Sequence, residues 1–219
     1  MAETTADVVD ILSSVTYTDK PLRPNECRLL KLHETCTGDD IRVSLTVCSL
    51  DFDRRDSRYY ALSYTWGHPY GESEDGTELT STGKSPIIVC DGIPLKVKRN
   101  LFEALLQLAA RRYFVDLWID AICIDQSDDS ERTKQIQLMA DIYSKAKEVI
   151  IWLGCGDDES KEAIPIIEKF GRQLLLAQGP HIPFNDRTYL ESHGLYPLSE
   201  TQWKAILIFF RRRWFRRVW

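Results

Sequence analysis

The ten residues from Val115 to Ile124, VDLWIDAICI, constrain this chain more than any other stretch. The odd positions Val115, Leu117, Ile119, Ala121 and Cys123 are all apolar. The even positions start Asp116, Trp118, Asp120 and then turn apolar too. A strand apolar on nearly both faces must be covered on both, the condition of a central strand in an α/β sheet. Residues 59–66 (YYALSYTW), ending at Gly67, and 148–153 (EVIIWL), ending at Gly154, read as further core strands. Helical spacing separates them: Leu101, Ala104, Leu105 and Leu108 share one face, and Ile136, Met139, Ile142, Tyr143 and Ala146 share another. Alternating strand and helix predicts an α/β fold, a mostly parallel sheet flanked by helices.

The remaining segments fit around that frame. Residues 27–32 (CRLLKL) and 41–50 (IRVSLTVCSL) are short N-terminal strands, and 1–24 are a polar, poorly ordered lead-in. Residues 87–97 form an inserted β-hairpin, with Asp91-Gly92 suited to a type I′ turn. Asn100 and Glu103 suggest a capping box for the first helix, and Asp128 or Ser130 caps the next. A third helix is expected from about 159 to 179, delayed or kinked by Pro165. Residues 180–199 read as a loop, and 202–219 as an amphipathic helix with Trp203, Ile206, Leu207, Phe210, Trp214 and Val218 on one face. Residues 68–86 form a long polar loop of the kind that is functional or mobile.

Composition excludes several classes. Apolar residues make up 43% and charged residues 28% of the 219, so a packed core is available and disorder is not expected. The net charge is −5, yet residues 203–219 hold six Lys/Arg and no acid, which leaves the rest at −11. An acidic body argues against nucleic acid as a partner. No apolar run is long enough for a transmembrane segment, and MAETTADVVDILSS lacks a secretory pattern, so a cytoplasmic location is expected. The six cysteines lack C-x-x-C spacing, and the four histidines are scattered. Free thiols and no metal site are the expectation.

Ligands of open parallel sheets bind beyond the carboxyl ends of the strands. One end here is Ser63-Tyr64-Thr65-Trp66-Gly67, and another runs from Asp120 through Asp125 to Gln126. Ser63 shares a small-residue face with Ala61 and Thr65, which leaves room for a ligand or lets a helix pack close. It lacks the G-x-S-x-G elbow of a hydrolase nucleophile. Trp66 and Gly67 could stack on a flat ring or close the core. Asp120, in an apolar run, either pairs with a buried donor or faces a cleft. A third end, Gly154-Cys155-Gly156-Asp157-Asp158, is not a dinucleotide loop: Glu159 replaces the last glycine, and two acids would repel phosphate. The candidate pocket residues are therefore Ser63, Tyr64, Trp66, Gly67, Asp120, Asp125 and Gln126.

Four blocks in order resemble the fungal heterokaryon-incompatibility (HET) domain. They are YYALSYTWG at 59–67, the D-G-x-x-L-x-V…N-L-x-x-A-L run at 91–105, LWIDAICIDQ at 117–126, and E-R-x-x-Q-I…V-I-x-W-L-G at 131–154. The resemblance implies a single domain over residues 25–219 with a flavodoxin-like sheet, distantly similar to Toll/interleukin-receptor (TIR) domains. It implies a role in fungal non-self recognition, an innate-immunity-like response that triggers programmed cell death. Some TIR domains cleave NAD with a glutamate, so NAD is implied as a substrate and no cofactor is expected. The alternative is a non-enzymatic signalling module that self-associates or binds other death-signalling proteins. The family's last block reads roughly W-F-x-R-x-W-x-x-Q-E, and Trp214 to Trp219 match its start. The expected glutamate would fall beyond Trp219, so the domain is expected to be C-terminally incomplete and this chain inactive as an enzyme.

Overall fold

The computed structural model describes residues 17–36, 38–70, 85–176, 187–192 and 198–217. These fall into two compact units: residues 17–68 and 85–154 form the first, and 69–70 with the described residues from 155 onward form the second. Most of the expected 68–86 loop lies outside the described residues.

The first unit is an α/β domain built on one seven-stranded sheet. Its strands are β1 (Glu26–Leu32), β2 (Arg42–Ser49), β3 (Tyr59–Ser63), β4 (Ile87–Cys90), β5 (Ile93–Lys96), β6 (Asp116–Trp118) and β7 (Glu148–Ile151), in the order β5-β4-β2-β1-β6-β3-β7. The expected parallel core is present: β3 pairs parallel with β6 and with β7. The sheet as a whole is mixed rather than mostly parallel. β1 runs antiparallel to both β2 and β6, which splices the N-terminal strands into the sheet. The β4–β5 hairpin extends it through a parallel pairing of β4 with β2. Asp91 (φ 50°) and Gly92 (φ 84°) both occupy the left-handed region that a type I′ turn requires.

Three local expectations change. The run 115–124 is not one long strand: β6 stops at Trp118, and Asp120–Cys123 form a single helical turn, α2 after α1 (Arg99–Ala110). The Asp120 carboxylate accepts from the Ala121 N–H at 2.7 Å, which favours turning over extension. Helix α3 (Asp129–Lys145) is capped by Asp128, which accepts from the N–H groups of Ser130 and Glu131. The expected stripe holds at Ile142 and Ala146, which are buried, and at Met139 and Tyr143, which pack against the core; Ile136 departs from it at 55% exposed, while Gln135 is buried and its amide reaches the Glu26 carbonyl at 2.8 Å. Strand β7 lies at the sheet edge rather than inside, with Val149 and Ile151 exposed.

The core of this unit joins Leu30, Leu32, Ala61, Leu62, Leu117 and Trp118 of the sheet to Leu101, Ala104 and Leu105 of α1 and Ile142 of α3. Tyr59 donates from its hydroxyl to the Ile142 carbonyl, and Trp118 stacks edge-on with Tyr143, so α3 covers the sheet face shared by Tyr59, Ala61 and Trp118. Tyr17, within the expected lead-in, is buried and donates to the Ile122 carbonyl.

The second unit holds α4 (Asp158–Leu176), α5 (Arg187–Ser192), α6 (Glu200–Phe210) and a 3₁₀ turn, Arg213–Arg216. Helix α4 starts without delay and carries Pro165 inside it. Residues 180–199, expected to be loop throughout, contain α5. Helix α6 has a reciprocal capping box between Ser199 and Gln202. It packs against α4, and its Ala205 and Phe209 are buried. The expected continuous helix 202–219 is therefore corrected: α6 ends at Phe210, and the chain turns at Arg211 and Arg212. Trp203, Leu207 and Phe210 are exposed rather than buried, and Val218 lies outside the described residues. Among the described residues no helix is long and apolar enough to cross a membrane.

Candidate functional site

The sites predicted from the first two strand ends meet at one place. Leaving β3, the chain carries Tyr64 inward, where it is 2% exposed, and sets Trp66 half-buried beside it. Leaving β6, parallel to β3 and hydrogen-bonded to it, the chain turns into α2 and presents Asp120. The Trp66 indole Nε1 donates to Asp120 Oδ2 at 2.9 Å. The Ala121 N–H donates to Oδ1. The Tyr64 hydroxyl bonds the same carboxylate, and its pKa is held well above 10 by burial first, then by the Asp120 and Tyr143 charges. Of the two alternatives for Asp120, pairing with donors is realised. A cavity of about 20 Å³ adjoins this cluster, lined by Tyr64, Trp66, Lys96, Val97, Lys98, Leu101 and Ala121. That is room for roughly one water molecule.

The other predicted residues sit around this centre with different partners. Gln126 donates from Nε2 to the Asp120 carbonyl at 2.9 Å, so it braces α2 through the backbone. Gly67 is half-buried directly after Trp66. Ser63 is 2% exposed and belongs to β3; its carbonyl accepts from the Trp152 N–H after β7. Asp125 is not part of the cluster. It accepts from Ser127 N–H and Oγ, and it lines a separate open groove of about 680 Å³ beside Tyr17 and α3.

Two polar nodes went unrecognised in the sequence. Asn100, read as a cap, is the second residue of α1 and is 4% exposed; Lys98 is the N-cap and makes no side-chain capping bond. The Asn100 amide donates to the Thr65 carbonyl at 2.6 Å, and its Oδ1 accepts from Trp152 Nε1 at 2.7 Å. One side chain thus ties the ends of β3 and β7 to the start of α1. The second node is Arg28 of β1, 1% exposed. Its Nη1 and Nη2 donate to the two Glu131 oxygens at 2.5 and 2.9 Å, and Nη1 also reaches the Cys123 carbonyl at 3.2 Å. A charge inside the apolar run CRLLKL is the signal that could have found it, as it found Asp120.

In the second unit the third strand-end segment forms its own cluster. Arg212, 4% exposed, donates to both Asp157 oxygens at 3.0 Å and to Ser160 Oγ, and it lies over the Tyr70 ring at 4.8 Å. Burial pushes the Asp157 carboxyl up, but the Ser160 hydrogen bonds and the Arg212 charge outweigh it and leave it below 3.8. Asp157 is thus committed to Arg212 and to starting α4, which suits a strand-to-helix turn rather than a phosphate site. All six cysteines are free, with Cys27, Cys90 and Cys123 buried and Cys155 exposed. Among the described residues no cluster of His, Cys, Asp and Glu could hold a metal ion.

No solved structure matches the chain. One curated relative, "Heterokaryon incompatibility protein 6, OR allele" of Neurospora crassa, is 30% identical over 218 residues. The match covers 88% of this chain, which spans only 30% of the length of that relative. The family model described as "Heterokaryon incompatibility protein (HET)" matches residues 59–219, taking in β3, the Trp66–Asp120 cluster and both Trp152 and Arg212. The chain therefore belongs to the heterokaryon incompatibility (HET) family.

Proposed function

We propose that this chain acts in fungal non-self recognition, in the response called heterokaryon incompatibility, and that its engagement ends in programmed cell death. Membership of the HET family and the name of the Neurospora relative support that role. We further propose that it acts in the cytoplasm as a signalling module that associates with itself or with other death-signalling proteins, not as an NAD glycohydrolase.

The observation that carries this choice is the state of Asp120. Cleavage of a nicotinamide glycosidic bond needs a carboxylate facing the developing oxocarbenium ion. Among the described residues, the carboxylate at the joined ends of β3 and β6, that of Asp120, accepts from Trp66, Ala121 and Tyr64. Hydrogen bonds to that charge spend it on the protein itself. The adjoining cavity of about 20 Å³ is more than tenfold below the roughly 300 Å³ at which small-molecule pockets begin. The cluster fits a lock between two strand-end loops.

Expression in a filamentous fungus, with viability and cellular NAD followed together, tests the proposal. The expected result is death with NAD unchanged until viability falls. Release of nicotinamide by the purified protein, lost on Asp120→Asn, would establish the enzyme instead.

A further inference from the structure

Helix α6 has two apolar faces. The inner one, Ala205 and Phe209 followed by Arg212, is buried. The outer one is a stripe of Trp203, Leu207 and Phe210, which are 50%, 60% and 47% exposed. Their spacing of four and three residues puts them in one line along a helix of 11 residues, about 16 Å long. Phe210 extends the stripe by stacking on Phe215 of the following 3₁₀ turn at 4.9 Å. Three large apolar side chains in a row, half open to water, form a patch of the kind that marks an interaction site.

The charges beside the stripe say what fits it. At 100° per residue, Glu200, Lys204 and Arg211 fall together on one flank of the stripe, with the acid at the start of the helix and Arg211 just past its end; all three are exposed. A second α6 laid antiparallel, with the two Leu207 side chains at the centre, brings each Trp203 against the opposite Phe210. The same alignment brings each Glu200 within about one helical turn of the opposite Arg211. A parallel alignment would instead put the two charged flanks on opposite sides of the seam, with no Glu200–Arg211 pair across it. The helix is thus complementary to itself in one orientation, which is the requirement of a two-fold interface.

We propose that the outer face of α6 docks on the α6 of a second copy of this chain, antiparallel, about a two-fold axis through Leu207. This names a partner for the signalling module proposed above and rests on that reading for its purpose. Its test does not use killing or NAD, so each can fail alone.

The test is sedimentation velocity on the purified chain over micromolar to hundred-micromolar concentrations, with far-UV circular dichroism to confirm folding. The wild type should dimerise. Leu207→Lys, at the most exposed stripe position, should be folded and monomeric. Glu200→Arg and Arg211→Glu should each raise the dimer dissociation constant roughly tenfold, since symmetry doubles every surface pair. The double swap should restore it to within about threefold of wild type, a recovery that general surface stickiness would not give. A monomeric wild type overturns the proposal. So does a dimer indifferent to Leu207→Lys, or one in which the double swap is as weak as either single. Binding of the monomer to anionic lipid vesicles through the same stripe would also overturn it.

Discussion

Replacing Glu131 by leucine isolates the charge that the first unit buries most deeply. Arg28 is 1% exposed, and two of its four hydrogen bonds end on the Glu131 carboxylate. The other two go to the Lys20 and Cys123 carbonyls. Glu131→Leu leaves the guanidinium sealed with no counter-charge. Breaking a buried pair in this way costs about 3–5 kcal/mol. Glu131 Oε1 also accepts from the Asp125 N–H at 2.7 Å, and losing that bond adds about 1 kcal/mol. The total is near 5 kcal/mol. With a urea slope of about 2 kcal/mol per molar, the unfolding midpoint should fall by roughly 2.5 M. Arg28→Met/Glu131→Leu removes both charges and keeps similar volume, so it should regain at least about 2 kcal/mol over Glu131→Leu alone. Urea titrations of the four proteins, followed by tryptophan fluorescence, give the cycle. A midpoint shift under about 0.5 M for Glu131→Leu would show that water reaches Arg28. A double variant no better than the sum of the singles would refute the pairing argument.

Asn100→Ala should lower the unfolding free energy by about 2–4 kcal/mol, because it strands the partly buried Trp152 indole N–H and the Thr65 carbonyl together; a melting temperature within 2–3 °C of wild type, on the order expected for a surface change, would contradict the node. The Asp157 carboxyl is held below its ordinary 3.8, so its stabilisation is present at neutral pH and is lost as pH falls through the folded value. Thermal melts from pH 6 to 2.5 should therefore show a steeper loss below about pH 4 for the wild type than for Asp157→Asn, and parallel curves would count against the Arg212 cluster. Iodoacetamide at pH 8 should label exposed Cys155 first and spare Cys90 and Cys123 in the folded protein, since burial pushes those thiols up to about 12; peptide mass spectrometry reads the order.

The sequence made local periods legible and left partners hidden. The strands at 27–32, 59–63 and 148–151 announce themselves through β-rich apolar runs, and the Asp91-Gly92 turn through its two residues. Which strand lies at an edge depends on what pairs with it, and nothing within EVII says that β7 has a neighbour on one side alone. Hydrophobicity put Ile136 inside and Gln135 outside; the structure reverses them because Gln135 reaches a carbonyl 109 residues away. The same limit applied to the site. Asp120 stood out because a charge in an apolar run demands an explanation, and Trp66 because it closes a strand. Asn100 did not stand out, because a polar residue at a helix start has an adequate local explanation as a cap. Its true partners, Thr65 and Trp152, are 35 and 52 residues distant.

The three polar nodes of the first unit share a physical logic that bears on how the site should be probed. Arg28 joins β1 to α3 and the end of α2, Asn100 joins the ends of β3 and β7 to α1, and Asp120 joins the end of β3 to α2. Each gathers backbone or side-chain donors from segments remote in sequence, and each is costly when half-satisfied. A loss of killing on changing Asp120 would therefore not by itself assign catalysis, since it would also release Trp66 and Tyr64. Trp66→Phe supplies the missing comparison. It keeps the ring and removes the Nε1 donor, so the carboxylate becomes freer while the loop loses one tie. A catalytic Asp120 would tolerate that change, whereas a lock between β3 and α2 would weaken. If Trp66→Phe and Asp120→Asn impair killing and stability in proportion, the cluster acts by holding the two loops in place.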